Sequence, residues 1–453
     1  MNDTICAIAT SQGVGAISII RISGDNSIPI VNQIFKGKDL NKVETHTIQY
    51  GHICNDEILI DEVLVSVMKA PKTFTKEDVV EINTHGGIAA TNKVLEVLLE
   101  NGCRLAEPGE FTKRAFLNGR IDLLEAEAVM DMIDAKTEVQ RKMALNQIDG
   151  KTSNLINDLR NDMVQIISNI NVNIDYPEYD DVEMITNEIL MPKITKLREK
   201  ISMILKESSN GKIIKEGIKT SIIGRPNVGK SSLLNALLQE DKAIVTNIAG
   251  TTRDIVEGVI SINGVLLNII DTAGIRETED IIESIGVEKS LKMMEESDLI
   301  LFMLNNNEEL TDDLIKLLDQ IKNKKYLLLI NKIDLSNKLD RNSLDIDSNK
   351  IIELSITNNK GIEELKEKII EMFNLNELET KDPTYLNNSR SISILKKCAK
   401  RIEDIEESLS NNMPIDMIEL DIKTIWEELG KINGSTYEEE LLDEMFKRFC
   451  LGK

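Results

Sequence analysis

The chain has 453 residues, enough for about three domains, and carries 77 acidic against 54 basic side chains, a formal charge of −23. That balance excludes a generally basic nucleic-acid-binding surface, and 3% aromatics with a single Trp exclude extensive base-stacking platforms. Five scattered Cys without a CxxC pair and three His support neither a disulfide framework nor a zinc cluster, so a reduced, cytoplasmic protein is expected.

From Thr4 to about Leu117, β-branched runs at Ile17–Ile22, Val63–Met68 and Val79–Ile82 alternate with a helical pattern at Thr91–Glu100, which predicts a compact α+β domain. Arg21, Ser23 and Gly24 follow one strand pattern and are suited to bind an anion, while Thr84, His85, Gly86 and Gly87 follow another and form either a functional turn or only a turn. Glu81 and Arg120 are charged residues at element ends. From Asp122 the pattern turns helical, and Ile156, Leu159, Met163, Ile167, Ile170 and Ile174 form one apolar stripe at steps of three or four. Tyr176 to Asp181 breaks that helix, a further helix runs to about Glu207, and Ser208, Ser209, Asn210 and Gly211 predict a linker. The opening residues lack a charged region followed by an apolar core, so no signal peptide is expected, and no apolar stretch approaches the ~20 residues needed to span a bilayer.

The next segment, about 217–374, carries the chemistry. Gly224, Arg225, Pro226, Asn227, Val228, Gly229, Lys230 and Ser231 fit GxxxxGK[ST] at every fixed position, between a β-branched run at Thr220–Ile223 and a helix start at Ser232–Leu238. Backbone N–H groups of such a turn cradle phosphates, Lys230 reaches the terminal phosphates, and Ser231 offers its hydroxyl to Mg²⁺. Gly250, Thr251, Thr252, Arg253 and Asp254 sit where a switch threonine adds its oxygens to Mg²⁺ and the γ-phosphate. Asp271, Thr272, Ala273 and Gly274 follow the apolar run Val265–Ile270 and match DxxG. Asn331, Lys332, Ile333 and Asp334 follow Tyr326–Ile330 and match NKxD, whose carboxylate accepts two hydrogen bonds from guanine, a pairing adenine cannot offer; GTP is therefore the expected nucleotide. Ser355, Ile356 and Thr357 stand where Ser-Ala-Lys is usual, and a backbone N–H to guanine O6 survives that change. The position after DxxG, where Ras places a water-orienting Gln, is Ile275, so hydrolysis needs another group. Glu283 is either that group or a solvated charge among Glu277, Glu279, Asp280 and Glu288. Helical patterns return at Arg390–Leu409, Pro414–Leu429 and Tyr437–Phe449, which makes the GTPase segment an insertion into a helical domain.

The run Arg21-Ile22-Ser23-Gly24, the His85-Gly86-Gly87 turn, the stretch Pro108 to Gly119, the inserted GTPase and the ending Cys450-Leu451-Gly452-Lys453 together resemble the MnmE (TrmE) family of tRNA modification GTPases from Thr4 to Lys453. The resemblance implies an α/β and α multidomain chain. Its parts are an N-terminal folate-binding-like dimerisation domain (1–118), a helical domain in two parts (119–210 and 375–453) and an inserted Ras-like P-loop G domain (217–374). It further implies a homodimer that works with an FAD-containing partner, MnmG, to add a carboxymethylaminomethyl or aminomethyl group to C5 of the wobble uridine of certain tRNAs. Arg21, Glu81, Arg120 and Lys453 match positions that contact 5-formyltetrahydrofolate or a related one-carbon folate. The nucleotide contacts implied are Asn227, Val228, Gly229, Lys230, Ser231, Ser232, Thr246, Asn247, Ile248, Ala249, Gly250, Thr251 and Thr252, with the DxxG, NKxD and Ser355–Thr357 elements. Ser231 and Thr252 match the Mg²⁺ ligands, Asn227, Thr246, Ile248 and Thr251 match ligands of a K⁺ ion that replaces an arginine finger, and Glu283 matches the water-orienting residue. Cys450 matches a terminal thiol that is either catalytic or supportive. A GTP-operated switch in ribosome assembly is the alternative, but such a switch has no use for a folate pocket.

Overall fold

The computed structural model describes residues 3–11, 13–175, 187–240, 256–270, 295–341, 344, 346–376, 386–437 and 439–452. They divide into two compact units, one of 1–130, 148–197 and 400–453, the other of 131–147 and 198–399.

In the first unit, strands β1 (Ile5–Ile8), β2 (Ile17–Ser23), β3 (Phe35–Lys36), β4 (Thr47–Asn55), β5 (Ile58–Met68), β6 (Val79–His85) and β7 (Arg104–Leu105) form one sheet in the order β3-β4-β5-β6-β2-β1-β7. All its pairings are antiparallel except β1 with β7. Alternation along the strands buries one face, including Ile20, Ile22, Val65, Ile82 and Val67, against helices α1 (Ser27–Ile34) and α2 (Ile88–Glu100). Fully burying each such side chain contributes about 1.5–3 kcal/mol. Helix α3 (Glu110–Leu117) opens at Gly109, whose φ of +71° and whose approach to Phe446 O and Phe449 Cβ leave no room for a side chain. Helices α4 (Leu123–Asp134) and α5 (Glu138–Ile148) precede α6 (Lys151–Asp175) and α7 (Asn187–Glu216). The apolar stripe of α6 is confirmed at Ile156, Leu159, Met163 and Ile170, but Ile166 is buried where Ile167 was expected, and Ile167 is half-buried. At about 100° per residue, 166 and 167 flank the direction set by 156, 159, 163 and 170 on either side, so period alone does not choose between them. The expected break at Tyr176–Asp181 lies outside the described residues.

The linker expected at Ser208–Gly211 is instead helix, inside α7. Ser208 and Ser209 satisfy their hydroxyls by donating to the carbonyls of Ile204 and Lys206 at 2.6 and 2.7 Å, so two linker-like residues cost the helix little.

The second unit is built on β8 (Ile218–Gly224), β9 (Val256–Ile262), β10 (Val265–Ile270), β11 (Leu299–Asn305), β12 (Tyr326–Asn331) and β13 (Ile351–Glu353), ordered β13-β12-β11-β8-β10-β9. Only the β9–β10 hairpin is antiparallel; the parallel remainder is buried on both faces, which is why β11 and β12 are continuous apolar runs. Helices α8 (Lys230–Glu240), α9 (Asp312–Ile321) and α10 (Ile362–Met372) accompany it. Downstream come α11 (Ser389–Ser410) and, in the first unit, α12 (Ile415–Asn433) and α13 (Glu439–Phe446), matching the three helical patterns. Among the described residues no helix is long and apolar enough to cross a membrane, and no group of three or more His, Cys, Asp or Glu is placed to hold a metal.

Candidate functional sites

Strand β8 delivers the loop Gly224–Gly229 to the N-terminus of α8, the strand–turn–helix context a phosphate cradle requires. The loop needs unusual backbone: Asn227 has φ +61° and Gly229 φ +103°. A Cβ on Gly229 would lie 2.5 Å from Asn331 Nδ2, and one on Gly224 2.6 Å from Met303 O, so both glycines are fixed by space. Asn331 Nδ2 donates to Val228 O at 2.8 Å, and Lys332 Nζ to Asn227 O at 2.8 Å, which ties the NKxD strand end to the phosphate loop. Lys230 Nζ donates to Gly224 O at 2.7 Å and Arg225 O at 2.9 Å, and burial pushes its ammonium below the ordinary lysine value. A half-buried cation held by carbonyls alone fits a phosphate as its counter-charge.

Ser355 Oγ donates to Asp334 Oδ1 at 2.6 Å and so orients the carboxylate that sequence reasoning aims at guanine. Ser355 also exchanges backbone hydrogen bonds with Lys360, closing a tight turn that puts Ile356 near Gly229. Ser231 and Ser232 stand exposed in the first turn of α8, beside the cradle. Ser231 fits the Mg²⁺ role by donor type and place, and Asn227 fits a K⁺ ligand in the same way. Thr246 to Thr252, Asp271 to Gly274 and Glu283 lie outside the described residues.

In the first unit, β2 and β6 pair Arg21 with Glu81, and Arg21 Nε donates to Glu81 Oε1 at 2.8 Å. Arg21 also reaches Gly452 O at 3.4 Å and stands 5.8 Å from the Phe111 ring centroid, while Arg120 stacks 5.0 Å over Phe74, which packs on the Phe111 cluster. Three of the four folate-matched residues are thereby brought around one aromatic cluster; Lys453 lies outside the described residues. Gly452 has φ +85° and a Cβ there would meet Ile8 O at 2.5 Å, so this glycine seats the CxGK run on β1. Cys450 is exposed, its carbonyl accepting from Gly109 N–H at 3.3 Å, whereas Cys6, Cys54, Cys103 and Cys398 are buried. Arg21 and Glu81 set a guanidinium beside a carboxylate, donor and acceptor types that fit the amide edge of a pterin, while Phe111 behind them is fully buried.

Sequence reasoning assigned no role to Arg114, the largest fully buried side chain. Its guanidinium donates to Asp3, Glu77 and Glu110, and Arg104 shares Asp3 and Glu110. Burial disfavours the Glu110 charge, yet Arg104, the Glu107 N–H and Arg114 outweigh it and hold the carboxyl below its ordinary range. Only the quoted stretch Pro108–Gly119 hinted at this network, and spacing alone could not reveal partners from residues 3 to 114.

Strand, phosphate loop, helix and guanine-directed carboxylate together define a Ras-like P-loop GTPase. A profile described as the MnmE helical domain matches residues 123–450, and one described as the N-terminus of the GTP-binding protein TrmE matches 4–120. The tRNA modification GTPase MnmE of Bacillus thuringiensis (strain Al Hakam) is 51% identical over 455 aligned positions, covering 100% of this chain and 99% of that protein. The MnmE of Bacillus mycoides (strain KBAB4) is 52% identical over the same shares. The chain belongs to the MnmE family of tRNA modification GTPases. Among solved structures, the G domain of the T. maritima FeoB iron transporter is 32% identical over 34% of this chain and 97% of that chain, with a TM-score of 0.26.

Proposed function

We propose that this protein is a potassium-stimulated GTPase that acts as a homodimer with the FAD-binding partner MnmG in the cytoplasm. The pair adds a carboxymethylaminomethyl or aminomethyl group to C5 of the wobble uridine (U34) of certain tRNAs. The observation that carries the reading is one chain holding both the guanine-directed phosphate loop and the Arg21–Glu81 pair beside Gly452. The G domain binds GTP with Mg²⁺ on Ser231 and Thr252. Asn227, Thr246, Ile248 and Thr251 would hold K⁺, whose positive charge would stand in for an arginine finger. Lys230 exchanges its carbonyl partners for phosphate oxygens, Asp334 selects guanine, and Glu283 orients the attacking water. Arg21, Glu81, Arg120 and Lys453 hold a 5-formyltetrahydrofolate-type one-carbon donor, with Cys450 beside them. The acidic surface fits a complex in which the partner supplies much of the tRNA grip.

The test is GTP hydrolysis in potassium and in sodium at equal ionic strength across protein concentrations. Turnover that requires potassium and rises with concentration is expected; equal rates in both salts reject the ion-assisted mechanism.

A further inference from the structure

The guanine-directed turn and the phosphate loop meet through one apolar side chain. At 355–357 the chain reads Ser, Ile, Thr where Ser-Ala-Lys is usual, so Ile356 puts a branched side chain in place of a methyl group. Backbone bonds make this turn one body with the end of β12. Leu354 N–H donates to Ile330 O at 2.8 Å, Ile333 N–H donates to Leu354 O at 3.2 Å, and Ser355 and Lys360 exchange N–H to carbonyl bonds at 3.1 and 3.0 Å. Ser355 Oγ adds its 2.6 Å bond to Asp334. Asn359 at φ +52° and Gly361 at φ +87° close the turn, and Gly361 has no room for a side chain because a Cβ there would lie 2.2 Å from Glu353 O. The 3₁₀ turn Ile356–Asn358 rests against α8, and half-buried Ile356 packs on the core that holds Val228, Leu233 and Leu354.

The Ile356 side chain ends at the phosphate loop. The heavy atoms nearest to where a Cβ of Gly229 would stand, its chain neighbours aside, belong to Asn331 and Ile356, with Asn331 Nδ2 at 2.5 Å and Ile356 Cδ1 at 3.6 Å. Asn331 holds the loop by its hydrogen bond to Val228 O, and Ile356 braces it by contact. An alanine at 356 would stop at Cβ and give up that contact. We propose that Ile356 is a positioning residue that couples the guanine base to the phosphates. Guanine drawn onto Asp334 and the 355–357 turn holds the Ile356 side chain against Gly229, whose N–H belongs to the set that cradles the α- and β-phosphates. This rests on the guanine reading of Asp334 above and deepens it. At φ +103° Gly229 has backbone freedom that no other residue type has, and a packed neighbour that removes this freedom lowers the ordering cost when a diphosphate binds.

The test is the affinity of the full-length protein with Mg²⁺ for GDP, by calorimetry, and for GMP, by competition against a fluorescent GDP analogue. Ile356→Ala, which introduces the residue usual at that position, should weaken GDP about tenfold, as loss of a coupling between neighbouring groups does, and GMP by much less, since GMP has no β-phosphate for Gly229 to hold. Ile356→Leu, whose side chain still reaches a δ-carbon, should keep most of the GDP affinity. Ile356→Val, which lacks that carbon, should lose part of it with little change in melting temperature. Ser355→Ala combined with Ile356→Ala should lose less than the product of the two single losses, because base anchor and loop are then already uncoupled. Equal losses for GDP and GMP would confine Ile356 to the base pocket, a full product of single losses would make the two subsites independent, and unchanged GDP affinity in both Ile356→Ala and Ile356→Val would remove the role. Each of these overturns the inference and leaves the guanine reading intact. A wild-type protein that binds ADP as tightly as GDP would overturn the guanine reading and this inference with it.

Discussion

The two sheets present their candidate sites in opposite ways. In the second unit the site lies at strand ends, where β8 and β12 release short loops whose own residues, Asn227 to Ser231 and Asn331 to Asp334, touch one another. In the first unit it lies along a strand face, and its parts come from residues as distant as Arg21 and Gly452. A loop site needs a few backbone conformations and can be written as a motif. A face site needs a register and a packed far segment, and a change anywhere in that assembly moves it.

That contrast predicts where each site breaks. The largest effect should come from Arg114→Leu: removing the guanidinium strands Glu77 and Glu110 without their buried partner, at about 3–5 kcal/mol. Thermal unfolding of the first unit should drop while GTP affinity of the protein is retained; an unchanged melting temperature would show that the network contributes nothing net. Next, Lys230→Ala should reduce GTP turnover about 100-fold or more, as loss of a positioned charge does, and leave the melting temperature and pterin binding intact. Asp334→Asn should weaken GTP and relax discrimination against xanthosine triphosphate, and nucleotide competition reads this directly. Ser355→Ala should give a smaller loss of guanine affinity, about 1 kcal/mol, because it frees the carboxylate to turn without removing it. The smallest effect is on pH. Arg104 hydrogen bonding holds Asp3 below its ordinary range, and Glu110 is held low against its burial. Folding therefore favours both ionised forms, and their stabilisation is present above the ordinary carboxylate range and lost as pH falls through the lowered values. Stability followed by circular dichroism should fall more steeply with decreasing pH in wild type than in a variant carrying Arg114→Leu with Glu110→Gln, and equal slopes would show that the network adds no pH dependence.

Most of the second unit was legible because phosphate and guanine chemistry dictate residue types at short spacing, and strand ends at Ile270 and Asn331 fall where the motifs require. The helical stripe of α6 was legible by period, to within the shift from 167 to 166. The α7 region misled because Ser208 and Ser209 resemble turn residues until their hydroxyls are seen bonded within the helix. At the face site, Arg21 and Glu81 were identifiable only by family resemblance, since nothing in spacing says that residues 60 apart share a register. Phe111 and Arg114 were visible only as part of the Pro108–Gly119 stretch, and spacing told nothing of their partners or of Phe74.

Burial sorts the five thiols into four that the fold shields and one, Cys450, that it presents. A single maleimide dye or nitroxide can therefore be attached beside the Gly109 turn without mutating any other cysteine. Such a reporter, placed next to the Arg21–Gly452 contact, would turn ligand arrival at the sheet face into an optical or magnetic signal in the native sequence.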